Sequence, residues 1–202
     1  MMAANEHERR KLEVPQQVET DRLLIRILHA GDGEAVYQAL MESMERLSPW
    51  FHWVQDTPTL ESNELYVREA QVMYYNRSKL EFGIFLKEDN TLIGRIGIHA
   101  VSWDPIVREL GYWLRTGYEG HGYMHEAVQA LLAVCFEKLQ AHKVVIRAES
   151  DNQRSLNVAR RAGFTYEGTA CHYQPSNADN TRMADLCFFS LLRCEWEKEK
   201  AG

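Results

Sequence analysis

The densest concentration of chemically useful residues lies in Leu114-Arg-Thr-Gly-Tyr-Glu-Gly-His-Gly-Tyr-Met-His-Glu-Ala127. Gly120 and Gly122 carry no Cβ to hold a ligand off the backbone, and the surrounding pattern predicts a strand, a loop and a helix in succession. The first N–H groups of such a helix lack intrahelical acceptors and sit at the positive end of its dipole. That combination suits a phosphate or pyrophosphate, although the same glycines also suit a plain strand-to-helix turn. Two familiar phosphate loops do not fit. A P-loop needs Lys-Ser/Thr after its last glycine, where Tyr123-Met124 stand. A dinucleotide fingerprint needs a parallel βαβ unit, whereas the strands before this loop read as antiparallel. His121 and His125 stand four apart with Glu126 next, but the order is not H-E-x-x-H and no third ligand accompanies them, so no metal is expected. Cys135 falls on an apolar helical face and reads as a core thiol. Cys171, the other conceivable nucleophile, has no His or Asp spacing beside it to activate it.

These residues need a scaffold, and the chain predicts one. Leu23–Leu28 is apolar on both faces, as a strand covered on both sides would be. Helices follow over about 32–46, with Ala35, Val36, Ala39 and Leu40 on one face, and 60–77, with Leu65, Val67, Val72 and Met73. Between them lies the aromatic loop Leu47-Ser-Pro-Trp-Phe-His-Trp53. Segments 80–87, 91–101 and 107–115 predict an antiparallel meander. After the glycine loop, Met124, Ala127, Val128, Leu131, Cys135 and Leu139 share a helical face. A strand over 143–149 precedes a helix capped by Ser150, Asp151 or Asn152 and stopped by Gly163, and strands over 164–173 and 182–194 end the series. Residues 1–18 hold six charges and few large apolar groups, and are expected to form a mobile arm ahead of a single domain over 19–198.

Composition narrows the partners. The 202 residues are 45% hydrophobic and 26% charged, with 23 basic against 29 acidic side chains and a net charge of −6. A net acidic chain gives no general footprint for nucleic acid or an anionic membrane, and no window approaches the roughly 20 apolar residues of a membrane span. Four cysteines without a C-x-x-C pair, and a first segment without an apolar stretch, point to the cytoplasm.

Glu119-Gly-His-Gly-Tyr-Met124 resembles the Arg/Gln-x-x-Gly-x-Gly/Ala loop of the GNAT N-acetyltransferases, whose backbone amides hold the pyrophosphate of coenzyme A. Arg108-Glu-Leu-Gly-Tyr-Trp-Leu114 resembles the strand before that loop, and Asp151-Asn-Gln-Arg-Ser155 with Arg161-Ala-Gly-Phe164 resembles the family's Asn-x-x-Ser … Gly-Phe segment. Glu19-Thr-Asp-Arg-Leu-Leu-Ile-Arg26 is similar to the opening strand of its RimJ/RimL, ribosomal-protein branch. The resemblance covers about residues 19–198. The resemblance implies an α/β (α+β) GNAT fold, a mixed, mostly antiparallel sheet of about seven strands with helices on both faces. It implies acetyl-CoA as cosubstrate, bound by Leu114, Glu119, Gly120, His121, Gly122, Tyr123, Met124, Asn152 and Ser155.

It also implies Glu109 as general base, with a solvated strand glutamate as the plain alternative. The family's usual tyrosine acid is missing, since Val158-Ala159-Arg160 stand in its place; the matching serine of the branch makes Ser155 the substitute. Asn152 divides between holding the pantetheine arm and capping its helix. Trp50, His52 and Trp53 divide between an acceptor cleft and ordinary core. Two positions depart from the pattern: Glu119 replaces Arg or Gln and puts a negative charge beside the pyrophosphate, and Met124 replaces a small residue. The implied reaction is transfer of acetyl to an amine by direct attack with general-base assistance, the acceptor implied by this branch being the N-terminal α-amine of a protein, a ribosomal one. The alternatives are a small amine such as a polyamine, amino acid or antibiotic, or a non-catalytic acetyl-CoA-binding protein. Members of the family often form homodimers.

Overall fold

A computed structural model describes residues 13–54, 58–103, 106–177 and 181–201. Its strands are β1 (Gln17–Glu19), β2 (Leu23–Ile27), β3 (Lys79–Leu86), β4 (Leu92–Trp103), β5 (Ile106–Leu114), β6 (Lys143–Glu149), β7 (Thr165–Pro175) and β8 (Met183–Leu192). They form one sheet in the order β1-β2-β3-β4-β5-β6-β8-β7. Neighbours are antiparallel except β5 and β6, which run parallel over only three pairs, Val107–Lys143 to Glu109–Val145. The sheet has one strand more than expected because β1 pairs with β2, Gln17 opposite Arg26. That pairing revises the expected arm. Val14 is buried and its carbonyl accepts a 2.6 Å hydrogen bond from the Tyr74 hydroxyl, so backbone bonds dock a segment that has few apolar side chains. The remainder of the expected arm, residues 1–12, lies outside the described residues.

The helices are α1 (Gly33–Met41), α2 (Met44–Leu47), α3 (Leu60–Asn76), α4 (Tyr123–Ala133, continued by a wider turn over Val134–Lys138), α5 (Gln153–Arg161) and α6 (Arg193–Ala201). Leu23, Ile25, Leu131 and Leu156 belong to an apolar cluster under α4 and α5, while Leu28, Val36, Val67 and Trp113 form a second under α1 and α3. Each face of the sheet is therefore covered, and all six apolar residues predicted on the face of α4 are buried.

Three elements differ from expectation. The helix over 32–46 breaks at Ser43, whose fully buried hydroxyl accepts from the N–H of Thr116 at 3.0 Å; an unbroken helix would not make that contact. In α3, Asn63, Val67, Ala70 and Tyr74 face inward, whereas Leu65 and Val72 are exposed. Asn63 tolerates burial because its amide donates to the Thr59 carbonyl at 2.8 Å. The last strand stops at Leu192, where Glu195 accepts from the N–H of Leu192 at 2.9 Å and opens α6.

Candidate active site

The glycine loop is held from both sides. Arg115 pairs with Glu42 at 2.6 Å, and Ser43 takes the Thr116 N–H, so the end of α1 fixes the loop's entry. At its exit Glu126 accepts from Thr20 Oγ1 at 2.5 Å, from the Arg22 N–H at 3.0 Å and from Arg22 Nε at 2.7 Å. Burial works against the Glu126 charge, but these donors outweigh it and hold the carboxyl below the usual carboxylate range. Between these anchors Gly120 and Gly122 adopt φ of +81° and +82°, a left-handed conformation that side-chain-bearing residues rarely take. The first backbone bond of α4 runs from Glu126 N to Gly122 O at 3.1 Å, leaving the N–H groups of Tyr123, Met124 and His125 ahead of the ladder. These donors, with the dipole behind them, fit a pyrophosphate.

Beyond Glu109 and Val145 the parallel pairing of β5 and β6 ends, and a cavity of about 790 Å³ opens there. From the glycine loop, its flanks and α5 it is lined by Leu114, Glu119, Gly120, Met124, Asn152 and Ser155. It is also lined by Trp50, Phe51, Trp53, His99 and Glu109. His121, Gly122 and Tyr123 do not line it. The His121 and Tyr123 rings stack at 5.9 Å, and Arg22 lies over Tyr123 at 4.5 Å. His52 is exposed and also stands off the cavity, so Phe51 takes the place expected for it.

Asn152 accepts from the Ser155 N–H at 3.2 Å and thus caps α5 while lining the cavity. The Ser155 hydroxyl lies 3.2 Å from that of Tyr112 on β5. Burial pushes the Tyr112 hydroxyl up to about 12 against the opposing hydrogen bond with Ser155, so it remains a proton-bearing donor. Tyr112 was not singled out in the sequence, and it is the fold that brings it to Ser155. Glu119 forms a 2.9 Å ion pair with Arg154 on α5, which offsets the negative charge that the sequence had set beside the phosphate site. Glu109 is gripped by Arg147 of β6, Nε to Oε1 at 3.0 Å and Nη2 to Oε2 at 2.7 Å. Burial pushes the Cys135 thiol up to about 12, in keeping with a core role, and Cys171 is exposed on β7 away from the cavity. Among the described residues no cluster of His, Cys, Asp and Glu could hold a metal, and no helix is long and apolar enough to cross a membrane.

Residues 22–165 match the family described as Acetyltransferase (GNAT) domain. The chain belongs to this family. It is a GNAT N-acetyltransferase, and its acetyl donor is acetyl-CoA. It is 29% identical over 181 residues to YdaF of Bacillus subtilis (strain 168), covering 89% of this chain and 96% of that protein. It is 30% identical over 133 residues to the ribosomal-protein-serine acetyltransferase of Escherichia coli (strain K12), covering 66% and 73%. Its fold matches RimL, a ribosomal L7/L12 α-N-protein acetyltransferase solved with coenzyme A, with a TM-score of 0.77, 23% identity and coverage of 89% and 97%.

Proposed function

We propose that this GNAT enzyme acetylates the N-terminal α-amine of a protein, a ribosomal protein in keeping with its relatives, by direct attack of the amine. The observation that carries this reading is the lining of the cavity: one space is bounded both by the glycine loop and Ser155 and by aromatic side chains with a carboxylate, Trp50, Trp53 and Glu109. An extended peptide end can enter beside the aromatic side chains and present its amine to Glu109. An α-amine ionises near 7.7–8.0 and a lysine near 10.4, so at neutral pH the former is far more readily delivered as a free nucleophile.

Each residue has a task in this reading. Backbone N–H groups of the loop from Gly120 through Met124 hold the donor's phosphates, while Leu114 and Asn152 line its arm. Bound acetyl-CoA supplies an activated thioester. Ser155, backed by Tyr112, offers a hydroxyl proton where negative charge develops on the departing sulfur, and Glu109 draws the cationic amine into the cavity. The test is thiol release by purified protein with acetyl-CoA, against peptides of different first residues, polyamines and free amino acids, with products located by mass spectrometry. Acetylation at a peptide α-nitrogen is expected. Activity confined to small amines would replace this reading with the small-amine one.

A further inference from the structure

His99 was not singled out by its sequence context, yet the fold places it on the cavity wall with Glu109. On β4 it stands directly opposite Glu109 of β5, so the two side chains share one face of the sheet. Its Nε2 lies 3.1 Å from Oε1 of Glu81, a carboxylate only 5% exposed. The same carboxylate takes Lys79 at 2.7 Å and Arg95 at 3.1 Å, and Arg95 also contacts the Tyr66 hydroxyl from α3. Burial opposes the Glu81 charge, but His99, Arg95 and Lys79 together hold its carboxyl well below the usual range. An ionised carboxylate can only accept hydrogen bonds, so Nε2 of His99 carries the hydrogen and Nδ1 of the neutral ring keeps its lone pair. Among the described residues no group bonds Nδ1, and His99 lines the cavity with its side chain 33% exposed. Room for the ring comes from Gly111, where a Cβ would lie 3.3 Å from His99 Cε1. Glu109 is placed differently, with both oxygens already turned to Arg147.

Resting on the amine-acceptor reading above, we infer that His99 takes the proton from the acceptor's ammonium, positioned for this by Glu81, while Glu109 serves as the fixed charge that holds the ammonium beside it. One proton moves from the ammonium to His99 Nδ1. The freed nitrogen lone pair forms the new C–N bond at the thioester carbonyl, the C–S bond breaks with its electron pair going to sulfur, and a second nitrogen proton reaches sulfur by way of the Ser155 and Tyr112 hydroxyls. The imidazolium then returns its proton to water, so the sum is acetyl-amine, free thiol and one proton. The charged and titratable groups around His99 are Glu81 and Lys79 from β3, Arg95 from its own strand with Tyr66 of α3 behind it, Glu109 from β5 and Arg147 from β6.

His99→Gln tests this, because the glutamine amide can still donate to Glu81 but cannot accept a proton. Steady-state rates are measured between pH 6 and 9.5 with the best acceptor of the panel, alongside Glu109→Gln. For His99→Gln, kcat is expected to fall about 10²–10⁴-fold at neutral pH with little change in acetyl-CoA Kd, and to recover as the amine loses its proton unaided. Glu109→Gln is expected to raise the acceptor KM and to keep the acidic limb of the pH profile. A His99→Gln enzyme with wild-type kcat and profile overturns the inference alone, whereas a wild type inactive on every amine overturns the acceptor reading and this inference with it. Nitrogen chemical shifts of the wild-type imidazole give an arm independent of the variant: the Nε2–H tautomer is expected, and the Nδ1–H tautomer would refute the assignment.

Discussion

Replacing Gly120 by alanine separates the conformation of the phosphate loop from its packing. At φ +81° a Cβ built on Gly120 meets no atom within 4 Å, so no steric contact opposes the substitution. What remains is the strain of an L-residue in the left-handed region, about 1–2 kcal/mol. Two responses are open to the loop. If it keeps its shape, folding stability falls by that amount and acetyl-CoA Kd is unchanged. If it relaxes to negative φ, stability is preserved, the N–H groups leave their places, and Kd rises about 5- to 30-fold, the same energy expressed as an equilibrium constant. Intermediate responses divide the effect, so the two losses should sum to about 1–2 kcal/mol. Urea unfolding of the ligand-free protein and calorimetric titration with acetyl-CoA measure them separately. Gly117→Ala is the control, because its Cβ is equally unobstructed and its φ is not in the left-handed region, so neither stability nor acetyl-CoA affinity should fall. A Gly120→Ala protein equal to wild type in both measurements, or a control that falls with it, would refute the reasoning.

Four further substitutions probe other parts of the site. Glu81→Leu leaves Lys79 and Arg95 without their shared carboxylate and is expected to cost about 3–5 kcal/mol in urea unfolding. Since the folded state holds the Glu81 carboxyl below its unfolded value, this stabilisation is present above about pH 4.3 and is lost as pH falls further; the wild type and Glu81→Leu should therefore converge in acid. Asn152→Ala removes the cap of α5, so stability should drop by about 1 kcal/mol, with weaker acetyl-CoA binding in calorimetry if the same amide also meets the ligand. Ser155→Ala should lower kcat by about 10²-fold or more with acetyl-CoA Kd nearly unchanged, and Tyr112→Phe should lower it less, because the phenol acts only through Ser155.

Sequence periodicity located what depends on neighbours along one element. The buried face of α4 and the limits of β6 follow from local patterns, which also narrowed the cap of α5 to Ser150, Asp151 or Asn152, the last of which makes it. It failed on α3, where Asn63 finds an acceptor at Thr59 four residues back and Tyr74 finds one at distant Val14, so both turn inward at the expense of Leu65 and Val72. The site shows the same division. Gly120 and Gly122 could be read from spacing and Ser155 from the family resemblance, but Glu109–Arg147, Glu119–Arg154, Tyr112–Ser155 and Glu81–His99 join residues 18 to 43 positions apart. A weaker signal for His99 was available. Arg95, Gly97 and His99 alternate on a strand whose other face is Ile96 and Ile98, and polar groups on one side of a central strand require partners from its neighbours.

The position of the cavity follows from the one parallel junction among the described strands. A chain that has run as an antiparallel meander through β5 must cross over to lay β6 alongside it in the same direction, and the glycine loop and α4 are that crossover. Pairing then lasts only three rungs, so from Leu110 onward β5 lacks a strand on its β6 side, an edge that an extended ligand arm can occupy by bonding to backbone. Such a gap would be expected to close or to collect another strand unless it were held open. Two ion pairs span it. Arg147 reaches back from β6 to Glu109 at the last rung, and Arg154 reaches from α5 to Glu119 at the outer end. Glu119, the position that departs from the family's basic pattern, is therefore best understood as half of this brace, and the positive charge absent from the loop is supplied across the gap by Arg154.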